Sequence, residues 1–403
     1  MKKWSEIPPT AGLPMLWQDW LPTTKKLCST LSELLDLPEL LLECSGTASL
    51  IIALKTLAGM PENEGRNEVI IPAYNCPLVV LAIAHCNLKV KLCDIQHDHF
   101  DFDFDCLEKL LDEKTLAVIP THIGGQLADV EKCTKMAKQH GIFVIEDGAQ
   151  ALGSSAGKIG DIVFFSLAVG KGLTLFEGGL LTARDENLRT ALKNTHKRIV
   201  KSHFFFELRR VIELFGYFIA YRPKLLPVFY GLPRRKELKK GNIEEAVGDV
   251  FDSDIPIHKV SHFRMGRGAN EVRRLQTFLD ETTKQAQPRI KKLESIHSLK
   301  VIKGREGQKS IWPFITVMMK DEKSRDRALQ TLWPSPYGVT RLFVHSLGQY
   351  DYLRPYLGDD FYTPNADDFA ARMLTISNSL WLDDDMFDKI LVTLEKSISN
   401  NKY

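Results

Sequence analysis

The sequence predicts an α/β protein, with a mostly parallel sheet in a large amino-terminal domain and a smaller α+β domain behind it. Three observations carry this expectation. From about residue 40 to 190, short apolar runs alternate with stretches of helical periodicity, the pattern of a sheet covered on both faces. The chain has 403 residues, of which 44% are hydrophobic and 26% charged, an ordinary globular composition with more length than one core uses. Beyond about residue 245 the order changes to helix, strand, helix, irregular region and helix. The expected division is 1–245 for the large domain and 246–403 for the small one.

Taken in order, the amino terminus "MKKWSEIPPTAGLPMLWQDW" begins with two lysines but then has prolines and an acid where a secretion signal needs an unbroken apolar core. It argues against export. Residues 69–88 run without Lys, Arg, Asp or Glu, long enough to span a bilayer. Pro72, Asn75, Pro77 and His85 interrupt that run, so it reads as strand, loop and helix. The apolar runs "VIIPA", "KVKLCDI", "LAVIPTH", "IFVIED", "IVFFS" and "GGLLTA" are the expected strands. Between them "CLEKLLDEKT" and "VEKCTKMAKQHG" have helical periodicity, and the second ends in a glycine suited to a helix C-cap. The carboxyl-terminal part reads as helix "MGRGANEVRRLQTFLDETTKQAQPRIKKLESI", strand "IWPFITVMM", helix "KSRDRALQTLW", an irregular region around His345 and the closing helix "DDDMFDKILVTLEKSI".

Charge and cysteine usage narrow the class. A formal net charge of +2 and a pI near 8.0 give no overall reason to expect nucleic acid. The charge is uneven: residues 193–240 hold thirteen Lys plus Arg against three Glu, a basic, aromatic insertion. The seven cysteines, from Cys28 to Cys133, are odd in number, lie in the first third and include no C-x-x-C pair. Reduced, packed thiols in a cytoplasmic protein are expected, with no metal site.

In parallel sheets ligands collect beyond the carboxyl ends of the strands. That rule directs attention to Tyr74 and Asn75 after "VIIPA", His122 after "LAVIPT", Asp147 ending "IFVIED", and Ser166 ending "DIVFFS". Gly46, Thr47 and Ala48 open an apolar helix, whose free N–H groups suit an anion, although taken alone a Ser or Thr cap with nothing bound explains them better. Asp147 taken alone is a turn residue or a carboxylate that holds a proton on a heteroaromatic nitrogen. Lys171, bracketed by glycines five residues beyond Ser166, is alone a surface lysine. Together the three supply a phosphate cradle, a pyridinium partner and an amine nucleophile, the parts that pyridoxal phosphate chemistry needs.

The order of these parts resembles the fold type I pyridoxal phosphate enzymes, and within them the DegT/DnrJ/StrS-type family of sugar aminotransferases. "SGTASL" is similar to the phosphate-binding turn, "VIIPAYNC" to the loop over the cofactor, "VIEDGAQALG" to the pyridinium motif, and "FFSLAVGKGLTLFEGG" to the serine, lysine and glutamate-glycine motif. The resemblance implies pyridoxal 5'-phosphate as cofactor, Lys171 as its Schiff-base lysine, Asp147 on the ring nitrogen and Gln150 against the ring. It places Ser166, Gly46, Thr47 and Ala48 at the phosphate and Tyr74 at the cofactor loop. It further implies a homodimer, glutamate as amino donor and a keto-sugar, nucleotide-linked, as acceptor.

Three positions depart from the family pattern. Cys76 stands where the family has a ring-stacking aromatic, Ala168 where it often has a histidine near substrate, and His262 where it supplies a phosphate-contacting asparagine across the dimer. Residues 193–240 have no counterpart. There Phe204, Phe205, Leu208, Val211, Ile212, Phe215, Phe218 and Ile219 recur at helical spacing. Such a stripe is expected either to bury against the dimer partner or the cap, or to dip into lipid, with 204–240 making a peripheral membrane contact.

Overall fold

The computed structural model describes residues 5–305, 307–358 and 361–399. Seven strands form the large sheet: β1 (Leu41–Glu43), β2 (Glu68–Pro72), β3 (Lys89–Cys93), β4 (Thr115–Val118), β5 (Phe143–Asp147), β6 (Ile162–Ser166) and β7 (Gly179–Ala183). Their spatial order is β1-β7-β6-β5-β4-β2-β3. The run from β3 to β6 is parallel, and β7 and β1 close one edge antiparallel. Every residue of β4, β6 and β7 is buried, which is why these strands read as continuous apolar runs and not as alternating ones. Because β2, β4, β5 and β6 are parallel, their carboxyl ends share one edge of the sheet.

Local chemistry moves the predicted helix boundaries. The periodicity of "CLEKLLDEKT" belongs to a helix at Phe104–Leu110, which starts earlier because the Asp103 carboxylate caps it, accepting from the Asp105 and Cys106 N–H groups. Its expected last turn is taken by the approach to β4. The second helix, Val130–Gln139, is capped by Asp129, and Gly141 follows it at φ +64°.

A second sheet, β10-β11-β9-β8, is assembled from β8 (Lys300–Val301), β9 (Phe314–Met318), β10 (Val339–Thr340) and β11 (Met373–Ser377). The helices Glu322–Leu332 and Asp384–Ser399 bury their apolar residues with it in one cluster. A single helix, His262–Glu294, bridges the two units, packing Leu275 and Leu279 beside Phe165 and Leu167 near the large sheet and Ala286 and Ile290 in the small-sheet core. The amino-terminal segment, grouped by sequence order with the large domain, runs over the small sheet instead. The Ile7 N–H donates to the Pro336 carbonyl, and the Ser377 hydroxyl donates to the Pro8 carbonyl at 2.6 Å.

The insertion is helical: Phe204–Ala220, a π-type turn at Pro227–Gly231, and Leu232–Lys240. Of the eight stripe residues, only Phe218 is buried. Leu214, Tyr217, Phe218 and Tyr221 pack with Met15, while Phe204, Phe205, Leu208, Ile212, Phe215 and Ile219 remain exposed. The stripe is therefore not covered by the cap. No helix among the described residues is long and apolar enough to cross a membrane.

Candidate active site

The shared carboxyl-terminal edge of β2, β4, β5 and β6 opens into a cleft of about 620 Å³. Gly46, Thr47, Asn75, Cys76, His122, Asp147, Gln150, Ser166 and Lys171 all line it. The fold thus brings together residues that span 126 positions in sequence, counted from 46 to 171.

On one wall the helix Gly46–Ala58 begins, with Ser45 as its cap. The Ser45 hydroxyl accepts from the Ala48 N–H at 3.0 Å. Ala48 is consequently committed to its own helix and does not line the cleft. The Gly46 and Thr47 N–H groups belong to the first turn, which has no intrahelical acceptor, and lie at the positive end of the helix dipole. A Cβ at Gly46 would stand 3.1 Å from Ser166 Cβ, so glycine lets the Ser166 hydroxyl approach the same helix end.

On the floor, Asp147 ends β5. Its Oδ1 accepts from the Ala149 N–H at 3.0 Å. Burial dominates its environment and pushes its carboxyl up to about 6, against the opposing pull of that N–H, His122 and Lys171. Beside it, His122 is held between two partners: its Nε2 donates to Glu146 at 3.1 Å and its Nδ1 accepts from the Ala128 N–H at 3.1 Å. That pairing selects one neutral tautomer. Glu146 is buried, yet its carboxyl lies below the usual range because the bonds from His122 and the N–H groups of Gly157 and Gly160 outweigh the desolvation. Gln150 is fixed in turn, its side-chain oxygen accepting from the Gly124 N–H at 2.7 Å.

Lys171 projects from a loop that β6 feeds and β7 receives. The loop is closed by the Leu175 N–H on the Leu167 carbonyl at 2.9 Å and the Val169 N–H on the Phe176 carbonyl at 3.1 Å. Gly170 turns it at φ +78°, where a Cβ would also collide with Thr10. Arg264, from the long helix, donates to the carbonyls of Leu175 and Glu177 and clamps the returning limb. Lys171 makes no ion pair among the described residues, and desolvation lowers its pKa, with Cys76 and Asp147 pulling the other way. A lowered pKa raises the fraction of free amine at neutral pH.

Besides Ala48, two predicted residues stand elsewhere. Tyr74 is fully buried behind the wall, its hydroxyl donating to the Phe343 carbonyl at 3.2 Å and its ring against Phe369. Asn75 and Cys76 take its place at the cleft. The Asn75 amide donates to Thr121 Oγ1 at 2.8 Å, and burial pushes the Cys76 thiol up to about 12, so it presents a neutral S–H. His262, exposed in the first turn of the long helix, does not line this cleft.

Sequence reasoning marked Glu177 only as part of the glutamate-glycine motif and missed the rest of the outer wall. Glu177, Arg210, Asp249, Asp252 and Asp254 all line the cleft. The three aspartates crowd into "GDVFDSDIP" directly behind the basic insertion, a local reversal of charge that was legible. Arg210 was not, because only folding brings it to Glu177, 2.7 Å away.

These features fit pyridoxal phosphate. The helix end and Ser166 suit a phosphate, Asp147 suits a protonated ring nitrogen, and Lys171 is an amine with no ion-pair partner among the described residues.

Comparison with known proteins agrees. Residues 16–209 match the model of the DegT/DnrJ/EryC1/StrS aminotransferase family. Over 154 residues, 37% of this chain and 40% of the relative, it is 30% identical to the GDP-perosamine synthase of Caulobacter vibrioides. A spore coat polysaccharide biosynthesis protein of Bacillus subtilis is 34% identical over 154 residues, 37% of this chain and 39% of the relative. The match thus spans about two fifths of the length of these curated relatives. Among solved structures, Helicobacter pylori PseC, an aminotransferase involved in the biosynthesis of pseudoaminic acid, superposes with a TM-score of 0.71 at 16% identity, covering 98% of this chain and 99% of that one.

Proposed function

We propose that this chain, whose residues 16–209 match the DegT/DnrJ/EryC1/StrS aminotransferase family, uses pyridoxal phosphate to transfer an amino group from glutamate to a keto-sugar. The convergence of Lys171, Asp147 and the Gly46–Ser166 helix end on one cleft carries this reading.

When bound, the cofactor supplies a carbonyl carbon that exchanges amines and a ring that takes up an electron pair. The chain's own groups do the rest. The N–H groups of Gly46 and Thr47 and the Ser166 hydroxyl hold the phosphate. The Asp147 carboxylate keeps a proton on the ring nitrogen, and a buried carboxylate does so more strongly than a solvated one. Lys171 Nζ takes the proton from the donor's α-carbon, and its depressed pKa leaves it free to do so. Gln150 and His122, both immobilised by their own hydrogen bonds, keep the floor rigid. His262 is assigned to the phosphate of a second subunit, which makes the working unit a homodimer.

The acceptor divides two readings. A nucleotide-linked keto-sugar is the one we favour, supported by likeness to a relative named GDP-perosamine synthase. The exposed Asp252 and Asp254 on the outer wall oppose a diphosphate and favour an acceptor that carries none. A mass-resolved screen with glutamate decides, using keto-sugars with and without a nucleotide. Amination of a nucleotide-linked ketone supports the first reading, and amination confined to free or cationic ketones establishes the second. Failure of glutamate and other amino donors to convert the bound cofactor to its amine form overturns both.

A further inference from the structure

The Phe204–Ala220 helix is mounted inside out. Glu207 and Arg210 face the protein: Glu207 accepts from the Ser261 N–H at 2.8 Å and pairs with Arg264, and Arg210 meets Glu177 at 2.7 Å. Its opposite face carries Phe204, Phe205, Leu208, Ile212, Phe215 and Ile219, which a helical repeat places within about 100° of one another. Phe205 is 76% exposed and Ile212 63%. A surface helix of a globular protein normally shows the reverse arrangement.

The apolar surface does not stop at the helix. Trp17, 73% exposed, lies edge-on to Phe218 with ring centroids 4.7 Å apart, and Trp20 continues the contact to Phe215 at 5.7 Å. Leu16 and Leu21 flank that turn and are exposed as well. Segments almost 200 residues apart in sequence thus build one continuous apolar face, larger than the isolated residues that protein surfaces normally show.

We propose that this face docks on an anionic lipid bilayer, with the aromatic and aliphatic side chains entering the headgroup boundary. Charge argues for lipid. Lys201 precedes the helix, Lys224 follows it, and Lys25 and Lys26 follow the Trp17–Trp20 turn; all four are exposed and form no ion pair among the described residues. The helix's two glutamates are already held by arginines. A rim of unpaired lysines beside a helix whose own acids are already paired complements phosphate headgroups. Pairing this face with a second copy would instead set the same unanswered lysines against each other. The helix carries Glu207, Arg209, Arg210 and Glu213 within its length, so it lies along the surface and does not span it. The inference goes beyond the proposed reaction and its readout involves no turnover.

The test uses the full-length, cofactor-loaded protein and flotation with vesicles of phosphatidylcholine alone or with about one third phosphatidylglycerol, at low and high salt. The double variant Phe205→Glu, Ile212→Glu is compared, since both side chains are exposed and their replacement leaves the core intact. The expected result is binding to anionic vesicles that weakens at least tenfold with added salt or neutral lipid. In the variant it should vanish while the sedimentation coefficient stays unchanged. Absence of wild-type binding to anionic vesicles at low salt overturns the proposal, as does a variant that binds like wild type. A variant that falls to a smaller assembly also overturns it and assigns the face to a second copy.

Discussion

A carboxylate buried beneath a lysine that has no ion pair is an unfavourable arrangement unless a ligand completes it, and Asp147 and Lys171 make the sharpest predictions. Lys171→Ala should lower turnover at least about a thousandfold, the scale of a lost proton-transfer group. Cofactor affinity should survive in part through Asp147, Ser166 and the Gly46 helix end, measured by equilibrium dialysis. Asp147→Asn should cost more than about a hundredfold; a loss under tenfold, about 1.4 kcal/mol, would mean that another group holds the ring proton. Because burial raises the folded-state pKa of Asp147 to about 6, the unliganded fold binds this proton more tightly than the unfolded chain does. That contribution to stability is complete below the unfolded pKa and is lost as pH rises through about 6. Uptake of a cationic ring has the opposite sign, since it needs the ionised carboxylate. Cofactor affinity should weaken as pH falls below about 6, and this step should be absent in Asp147→Asn.

The loops and helices that present these groups depend on a few latches. The lysine loop turns at Gly170, where φ is +78° and Thr10 fills the space of a Cβ. Gly170→Ala should therefore destabilise the protein by about 1–3 kcal/mol in urea titrations and weaken cofactor binding with it. The insertion helix hangs on Glu207, which accepts from Ser261, His258 and Arg264 in turn. Those bonds outweigh desolvation and hold its carboxyl well below the usual range. Its stabilisation is present above the unfolded pKa near 4.5 and is lost as pH falls. Glu207→Gln should raise hydrogen exchange across residues 204–220 at neutral pH and leave the exchange of β5 and β6 unchanged.

At the scale of the molecule, Glu177, Arg210 and three aspartates line the outer side of the cleft, and the exposed His262 does not line it. The proposed homodimer would give His262 its role at a neighbouring subunit. Sedimentation should show a dimer, and His262→Ala should weaken cofactor binding without changing the monomer fold. An active monomer would remove His262 from the site.

The alternation of apolar runs and helices determined the α/β class by itself, because strands buried on both faces must be apolar throughout. Lys171, Asp147, Ser166 and the Gly46 turn were legible because each is tied to a strand end or a helix start, and a parallel sheet gathers those positions on one edge. Tyr74 and Cys76 were beyond its reach: neighbours on one loop, they differ in which way they face, and only packing against Phe343 and Phe369 turns Tyr74 inward. Arg210 likewise reaches the cleft because the insertion folds back on Glu177. Periodicity found the apolar stripe of residues 204–219 correctly. Which side of that helix meets the protein depended on ion pairs with residues more than thirty positions away, Glu177 and Arg264 among them, and a sequence pattern carries no record of contacts at that range.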